Sequence, residues 1–264
     1  PFAAGHEIIR QRKRGLTLIG PISDILFDQI IGAGCADKIR AAWVGNVITG
    51  SGYNFRRAVE SGRLTIEDHS ILTLVTALTA GKMGIPFMPT GTALGSDLYQ
   101  TNPNLKTMAC PFTGRKLTAV RAIKPDVTII HAQRCDECGN AHVWGNMGIT
   151  REACLASRSV IVTAEEIVAP EVITSDPNRV VTPGFRVGAV VHAPWGAHPS
   201  PVPGHYNRDH RAFLEYRDAS RTEEAFRLWL KKWVDAVRMP ADYQRLLGKD
   251  RLRELALKQH LFSE

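Results

Sequence analysis

The feature that most constrains this chain is the alternation of short apolar runs with longer amphipathic segments up to residue 89. The apolar runs have the length of buried strands, and the amphipathic segments have the apolar spacing of helices. We predict helices at 2–9, 24–31, 54–61 and 69–82, and strands at 16–19, 39–44, 64–66 and 86–89. This order of elements is typical of a mostly parallel sheet with helices on its faces.

The rest of the chain extends this pattern and then changes character. After a loop rich in Thr, Gly, Asn and Pro at 90–114, further strands are predicted at 127–133, 160–163 and 187–192. From residue 207 the sequence is charged and helical, and its apolar residues are expected to pack rather than to bind a ligand. These residues are Phe213, Phe226, Trp229, Trp233 and Val237. We therefore predict an open α/β domain at 1–206, with a mostly parallel sheet flanked by helices, and a helical C-terminal extension at 207–264 that packs on it.

Composition and charge exclude several classes of protein. A chain of 264 residues with 44% hydrophobic content can bury a large core. Its net charge of +7 comes from scattered basic residues, apart from short runs at 10–14 and 231–232, so no basic stripe indicates a nucleic-acid partner. The longest apolar stretches, such as 187–195, are too short to span a bilayer, and no membrane insertion is expected.

Cysteine usage and the start of the chain indicate a compartment. Five cysteines without an apolar leader favour reduced thiols in a cytoplasmic protein, and disulfides are not expected. The chain opens at Pro1 without a methionine, and its first helix lacks upstream support. We therefore expect that an N-terminal strand is missing.

Two cysteines three positions apart raise the question of a metal site. Cys135 and Cys138 have the spacing of half a zinc site, and His131 and His142 lie nearby in the sequence. There is no second cysteine pair, and the Gly-Asn that follows Cys138 favours a turn. No metal site is predicted.

Three further segments could hold a ligand or act in catalysis. The loop at 91–97 follows a strand and offers backbone N–H groups and hydroxyls, so a structural turn and a ligand cradle both stay open. At 67–70, Glu-Asp-His-Ser lies where a strand meets a helix, and helix capping is favoured over proton transfer. A structural role is likewise favoured for His198, and no serine nucleophile elbow is present.

Several motifs in a fixed order resemble the A-type subunit of family I coenzyme A transferases. They are LTLIGP at 16–21, IGAG at 31–34, GIPFMPT at 84–90, LGSD at 94–97, KPDV at 124–127, GNA at 139–141 and GAHP at 196–199. Each motif is modest, but their order from about residue 7 to residue 235 makes the resemblance specific. The Gly-Pro at 20–21 and the His-Ser at 69–70 are similar to the glutaconate-type branch rather than to the branch that acts on 3-ketoacids.

The resemblance implies an obligate pair of A and B subunits and ping-pong transfer of CoA between an acyl-CoA and a carboxylic acid. It also implies a catalytic glutamate in a Glu-Asn-Gly-like turn of the B subunit, and no such sequence occurs here. This chain is then expected to supply pocket walls, with the CoA thioester as a substrate and with no catalytic residue, metal or other cofactor. The residues expected to line the acyl end of the pocket are Gly20, Pro21, His69, Ser70, Thr92, Gly95 and Ser96.

Two alternatives stay open at this point. A CoA-thioester hydrolase of the same family, cleaving a ring-derived substrate, would use an acid on the A-type subunit, and Glu67 and Asp68 lie a few residues early for it. A non-catalytic small-molecule sensor of similar fold would need a DNA-binding segment, which this sequence lacks.

Overall fold

The computed structural model describes residues 1–257. The α-helices are α1 (Phe2–Arg10), α2 (Ile25–Gly32), α3 (Tyr53–Glu60), α4 (Ile71–Met83), α5 (Leu98–Thr101), α6 (Thr150–Ala156), α7 (Pro170–Thr174), α8 (His210–Ser220), α9 (Glu223–Leu230), α10 (Pro240–Leu247) and α11 (Lys249–Leu255). Two short 3-10 turns (Pro177–Arg179 and Gly184–Arg186) and one π-helical turn (Lys231–Asp235) join them. None of the helices in this described part is long and apolar enough to cross a membrane.

The strands fall into several small sheets. They are β1 (Leu16–Ile19), β2 (Ile22–Ser23), β3 (Ala36–Ala41), β4 (Trp43–Asn46), β5 (Gly50–Ser51), β6 (Thr65–Asp68), β7 (Phe87–Thr90), β8 (Leu105–Ala109), β9 (Lys116–Arg121), β10 (Val127–Cys135), β11 (Ala141–His142), β12 (Ser159–Ile167), β13 (Val180–Thr182) and β14 (Val187–His192). One sheet has the order β1-β3-β6 and is entirely parallel. A larger sheet has the order β13-β11-β10-β12-β14, with β10, β12 and β14 parallel and β11 and β13 antiparallel. The predicted α/β class with parallel strands, flanking helices and a helical C-terminal segment is therefore confirmed.

Helix ends follow the local chemistry of the sequence. Asp24 caps α2 by accepting a hydrogen bond from the N–H of Ile25, and Ser70 caps α4. Helix α4 ends at Gly84, whose φ of 74° is the left-handed conformation that glycine adopts without a Cβ penalty. These signals explain why most of the predicted boundaries lie within two residues of the observed ones.

The segment between β7 and β10 differs from the prediction. The predicted loop at 90–114 is wrong in part, because it contains α5 and β8. Strands β7, β9 and β8 form an antiparallel sheet, in which β8 pairs with β9. Strand β8 buries only Leu105 fully, so its sequence shows no apolar alternation that could reveal a strand.

A break in the strand predicted at 39–44 also matters for the architecture. The structure divides it at Ala42, whose N–H donates to Pro21 O at 3.0 Å. Residues before the break belong to β3 in the first parallel sheet, whereas β4 pairs with β2 in a separate small sheet. The chain therefore bends at the carboxyl end of β3.

The C-terminal helices share a core with the first parallel sheet. Phe213 and Tyr216 on α8 and Phe226 on α9 are buried in the same apolar cluster as Ile25 and Ile39. The predicted packing role of Phe213 and Phe226 is confirmed. The residues at 258–264, the end of the predicted extension, lie outside the described part of the chain.

Candidate functional site

The carboxyl ends of β1, β3 and β6 bring four of the predicted residues to one edge, which we call the carboxyl edge. Gly20 follows β1, and its N–H donates to Arg40 O at 3.1 Å on β3. His69 follows β6, and its N–H donates to Ala41 O at 3.0 Å. Pro21 follows Gly20 and Ser70 follows His69 in the chain, so the two pairs of residues lie on opposite sides of β3. Parallel α/β sheets hold ligands beyond this end of their strands.

Ser70 performs the capping role that the sequence favours. Its side chain accepts a hydrogen bond from the N–H of Thr73 at 3.1 Å, and Thr73 Oγ1 accepts one from the N–H of Ser70 at 2.9 Å. This reciprocal pair is a capping box at the start of α4. Ser70 is half-buried at the carboxyl edge.

His69 is buried directly behind this cap. Its Nδ1 lies 3.3 Å from Thr73 Oγ1, and its Nε2 lies 3.2 Å from Glu67 Oε1. Asn102 Nδ2 is also 3.2 Å from His69 Nε2 and donates to Asp68 O at 2.6 Å. With 4% of its surface exposed, His69 lies behind the carboxyl edge and not on its surface.

Glu67 is a buried carboxylate held by two cations from the neighbouring strand. Lys38 Nζ lies 2.6 Å and Arg40 Nε 3.1 Å from Glu67 Oε2. Burial alone would raise the pKa of Glu67, but hydrogen bonds from His69 and Lys38 and the charge of Arg40 lower it to about 2. Glu67 is therefore ionised at neutral pH and has no proton to give.

The loop at 91–97 supplies the other three predicted residues. Thr92 O accepts a hydrogen bond from Thr118 Oγ1, and Ser96 Oγ donates to Ala93 O at 2.8 Å. Gly95 has a φ of 77° in the same turn. Among the hydrogen bonds of residues 1–257, none joins Thr92, Gly95 or Ser96 to the residues of the carboxyl edge.

The loop is nevertheless tied to the edge through the helix that follows it. Helix α5 ends at Asn102, which is fully buried between Asp68 and His69. Sequence reasoning missed Asn102, because an Asn-Pro pair in a polar segment indicates a turn and gives no sign of a long-range contact. A small cavity of about 30 Å³ lies elsewhere, between α1 and the C-terminal helices, and none of the seven predicted residues lines it.

The cysteine pair does not form a ligand set. Cys135 is buried at the end of β10, where burial and then the charge of Asp136 raise its thiol pKa to about 12. Cys138 is exposed on the turn, and Gly139 adopts a φ of 91° there. Within residues 1–257, no group of three or more His, Cys, Asp or Glu side chains is arranged to hold a metal ion.

His198 contacts one buried and one half-buried partner from the C-terminal helical region. Its Nε2 lies 2.9 Å from Asp209 Oδ2 and its Nδ1 lies 2.7 Å from Tyr243 OH. Arg251 Nε donates to the same oxygen of Asp209. With 1% exposure, His198 connects the end of the sheet region to α10 and α11, which supports its structural role.

The fold thus defines an α/β protein whose parallel strands β1, β3 and β6 end at one edge, and comparisons with known proteins identify its class. The coenzyme A transferase family model matches residues 1–193. The A-type subunit of 3-oxoadipate CoA-transferase from Pseudomonas knackmussii is 42% identical over 247 residues, which cover 92% of this chain and 87% of that protein.

A second relative is known both as a sequence and as a structure. The A-type subunit of glutaconate CoA-transferase from Acidaminococcus fermentans is 34% identical, over 97% of this chain and 85% of that protein. The crystal structure of glutaconate CoA-transferase from Acidaminococcus fermentans superposes with a TM-score of 0.93 and 32% identity, over 99% of this chain and 89% of that chain. The chain belongs to the coenzyme A transferase family. Within that family it is the A-type subunit of a CoA-transferase, which the sequence resemblance predicted.

Proposed function

We propose that this protein works with a B subunit to move CoA from an acyl-CoA to a small dicarboxylic acid of the kind represented by 3-oxoadipate and glutaconate. Two relatives named for these acids match nearly the whole chain, which supports the substrate class. The observation that most favours a partner subunit is that Glu67 is buried and ion-paired. The carboxylate of Glu67 is buried and bound by Lys38, Arg40 and His69, so it is not free to attack a thioester, and we place the nucleophile on the B subunit.

The nucleophile in the proposed chemistry is a carboxylate of the B subunit. A glutamate oxygen attacks the thioester carbonyl and expels CoA thiolate, which gives a mixed anhydride. The thiolate then attacks the glutamyl carbonyl of the anhydride, which releases the first acid and leaves a glutamyl-CoA thioester. The acceptor acid repeats these steps in reverse order, so CoA leaves on the new acid and the glutamate is regenerated.

In this reaction the present chain provides the wall of the acyl pocket. Gly20, Pro21 and the half-exposed Ser70 lie together at the carboxyl edge, and Thr92, Gly95 and Ser96 lie on the loop that Asn102 anchors to that edge. A hydroxyl donor at such an edge can stabilise the negative charge that develops on the acyl oxygen.

Exposed apolar side chains next to the carboxyl edge support its coverage by the B subunit. Ile22 and Trp43 are paired neighbours on β2 and β4, and they are 56% and 37% exposed. Ile71 and Leu72 follow Ser70 directly and are 46% and 60% exposed. A cluster of exposed apolar side chains around a binding edge is typical of a protein interface. We place the complex in the cytoplasm.

The test is mass spectrometry of this protein copurified with its B subunit. The complex is incubated with an acyl-CoA and then trapped with borohydride or hydroxylamine, and each of the two polypeptides is examined for a modified glutamate. We expect the modified glutamate on the B subunit, with CoA transfer to 3-oxoadipate or glutaconate. Release of free CoA without an acceptor acid would indicate a hydrolase instead, and binding without turnover would indicate a sensor.

A further inference from the structure

A series of buried side chains lies behind the half-exposed Ser70. Glu67 contacts His69 Nε2, His69 Nδ1 contacts Thr73 Oγ1, and Thr73 shares the capping box with Ser70. Glu67, His69 and Thr73 are 3%, 4% and 0% exposed. They are too buried to touch a ligand at the carboxyl edge, and the capping box gives them a route to that edge through Ser70.

The charge of Glu67 determines which nitrogen of His69 holds the proton. An ionised carboxylate only accepts hydrogen bonds, so it favours the imidazole tautomer with the proton on Nε2. The amide nitrogen of Asn102 approaches the same Nε2 and competes as a donor, but it already donates to Asp68 O. Glu67 is charged and is therefore the stronger hydrogen-bond partner of Nε2. Nδ1 then carries no proton and faces Thr73 as an acceptor.

This tautomer has consequences for Thr73 and Ser70. The Thr73 hydroxyl donates to Ser70 O at 3.0 Å or to His69 Nδ1, and its oxygen stays available for the N–H of Ser70. If His69 carried its proton on Nδ1, that N–H would donate to Thr73 Oγ1 and compete with the N–H of Ser70 for the same oxygen. Ser70 Oγ is held in place by the N–H of Thr73 at 3.1 Å, and its own proton makes only a long contact of 3.3 Å to Thr73 Oγ1, which an acyl oxygen at the carboxyl edge can replace as acceptor.

We propose that Glu67 is a positioning residue that acts through His69 and Thr73 to hold the Ser70 hydroxyl as a donor toward the acyl carbonyl oxygen. The inference rests on the proposed function, because that oxygen belongs to the acyl group in CoA transfer. The donated hydrogen bond strengthens as charge develops on the oxygen during attack by the glutamate. Its loss therefore affects kcat more than KM.

A double-mutant cycle on the copurified two-subunit complex tests the proposal. Ser70→Ala is expected to lower kcat about 100-fold and Glu67→Gln about tenfold, with the KM for acyl-CoA changed less than about twofold. In the Ser70→Ala background, Glu67→Gln is expected to have no further effect. Glu67→Asp, which keeps the charge, should recover part of the lost kcat. An unchanged kcat for Glu67→Gln, or the same tenfold loss in both backgrounds, would overturn the proposal.

A second variant addresses the case in which Glu67→Gln does not fold. His69→Gln keeps the ion pairs of Glu67 with Lys38 and Arg40 but removes the link to Thr73. It should show the same loss of kcat and the same absence of a further effect in Ser70→Ala. Glu60→Gln, at an exposed ion pair on α3, is the control with unchanged activity. A wild-type complex without CoA transfer would reject the proposed function itself, whereas an active wild type with an additive cycle would reject only the positioning role.

Discussion

At the scale of single residues, Glu67 shows how ion pairing determines the behaviour of a buried carboxylate. Its hydrogen bonds and two cations hold its folded pKa at about 2, below the ordinary 4.5. A group with a depressed pKa stabilises the fold above its unfolded pKa, and this stabilisation is lost as the pH falls toward the folded pKa. Glu67 therefore stabilises the native state fully above pH 4.5 and progressively less toward pH 2.

This predicts a pH-dependent effect of Glu67→Gln on stability. The variant lacks the titrating group, so the difference in free energy of unfolding between wild type and variant should shrink between about pH 4.5 and about pH 2. Urea denaturation followed by circular dichroism at several pH values measures it. Glu60→Gln should show a small difference that does not follow this curve. A Glu67→Gln difference that stays constant with pH would contradict the pKa shift.

The same residues show which features of the site could be predicted from the sequence. The sequence Glu-Asp-His-Ser at a strand–helix junction indicated a helix cap at Asp68 or Ser70, because capping depends on neighbours in the chain, and the structure places it at Ser70. It could not reveal the cations on Glu67, since Lys38 and Arg40 reach it from the adjacent strand through the sheet register. The grouping of Gly20 with His69 at one edge could be expected from parallel strand order, but the contact of Asn102 could not.

At the scale of elements, helix α4 is held by a close approach of backbones. A Cβ on Gly81 would lie 2.1 Å from the carbonyl oxygen of Ile123, and a backbone oxygen cannot move aside without shifting β9 or β10. Glycine at this position therefore determines how near α4, with Ser70 at its start, lies to the neighbouring segment.

Gly81→Ala is expected to destabilise the protein by about 2 kcal/mol, since overpacking against backbone is relieved only by moving an element. Thermal unfolding of the variant measures the loss. Gly91→Ala is the matched control, because a Cβ there meets nothing within 4 Å, and its effect should stay within about 0.5 kcal/mol. Equal melting temperatures for the two variants would show that α4 can shift freely.

Elements that are rich in apolar residues were the predictable ones. Strand β10 and helix α4 have long buried runs, whereas β8 and β9 lie in a sheet whose strands are largely exposed. Such strands are stabilised by pairing with each other rather than by burial, and a single sequence does not display that pairing.

At the scale of the whole molecule, the C-terminal helices are joined to the first sheet region by a buried polar contact. Tyr216 OH donates to Asp28 Oδ2 at 2.6 Å, and Asn54 Nδ2 donates to the same carboxylate at 3.1 Å. Phe55 N–H donates to Asp28 Oδ1 at 2.7 Å. Burial raises the pKa of Asp28, and the hydrogen bonds from these donors oppose that rise because they stabilise the ionised carboxylate.

Tyr216→Phe should destabilise the protein by about 1–3 kcal/mol, because it leaves a buried acceptor without one of its donors. The midpoint of urea unfolding measures this loss. Tyr53→Phe on α3, where the ring is only half-buried, is the matched control and should have little effect. If both variants unfold at the wild-type midpoint, the contact does not contribute to docking of the helices.

The exposed apolar residues at the start of α4 give a prediction about assembly. Ile71→Asp and Leu72→Asp should leave the chain folded, since both side chains are exposed and acidic residues suit a helix N-terminus. Their affinity for the B subunit should fall more than about tenfold, measured by copurification and by analytical ultracentrifugation. Leu228→Asp, at a 65% exposed position on α9, is the control. Wild-type affinity in both α4 variants would place the interface elsewhere.

The bend of the chain at the carboxyl edge has an evolutionary consequence. Pro21 is followed by Ile22, Ala42 by Trp43, and Ser70 by Ile71, so an edge position is succeeded each time by an exposed apolar residue. An insertion or deletion within β1, β3 or β6 would displace both members of a pair together. Substrate range and choice of partner are therefore expected to be inherited as one trait, and hybrid pairs assembled from related enzymes should lose both at once.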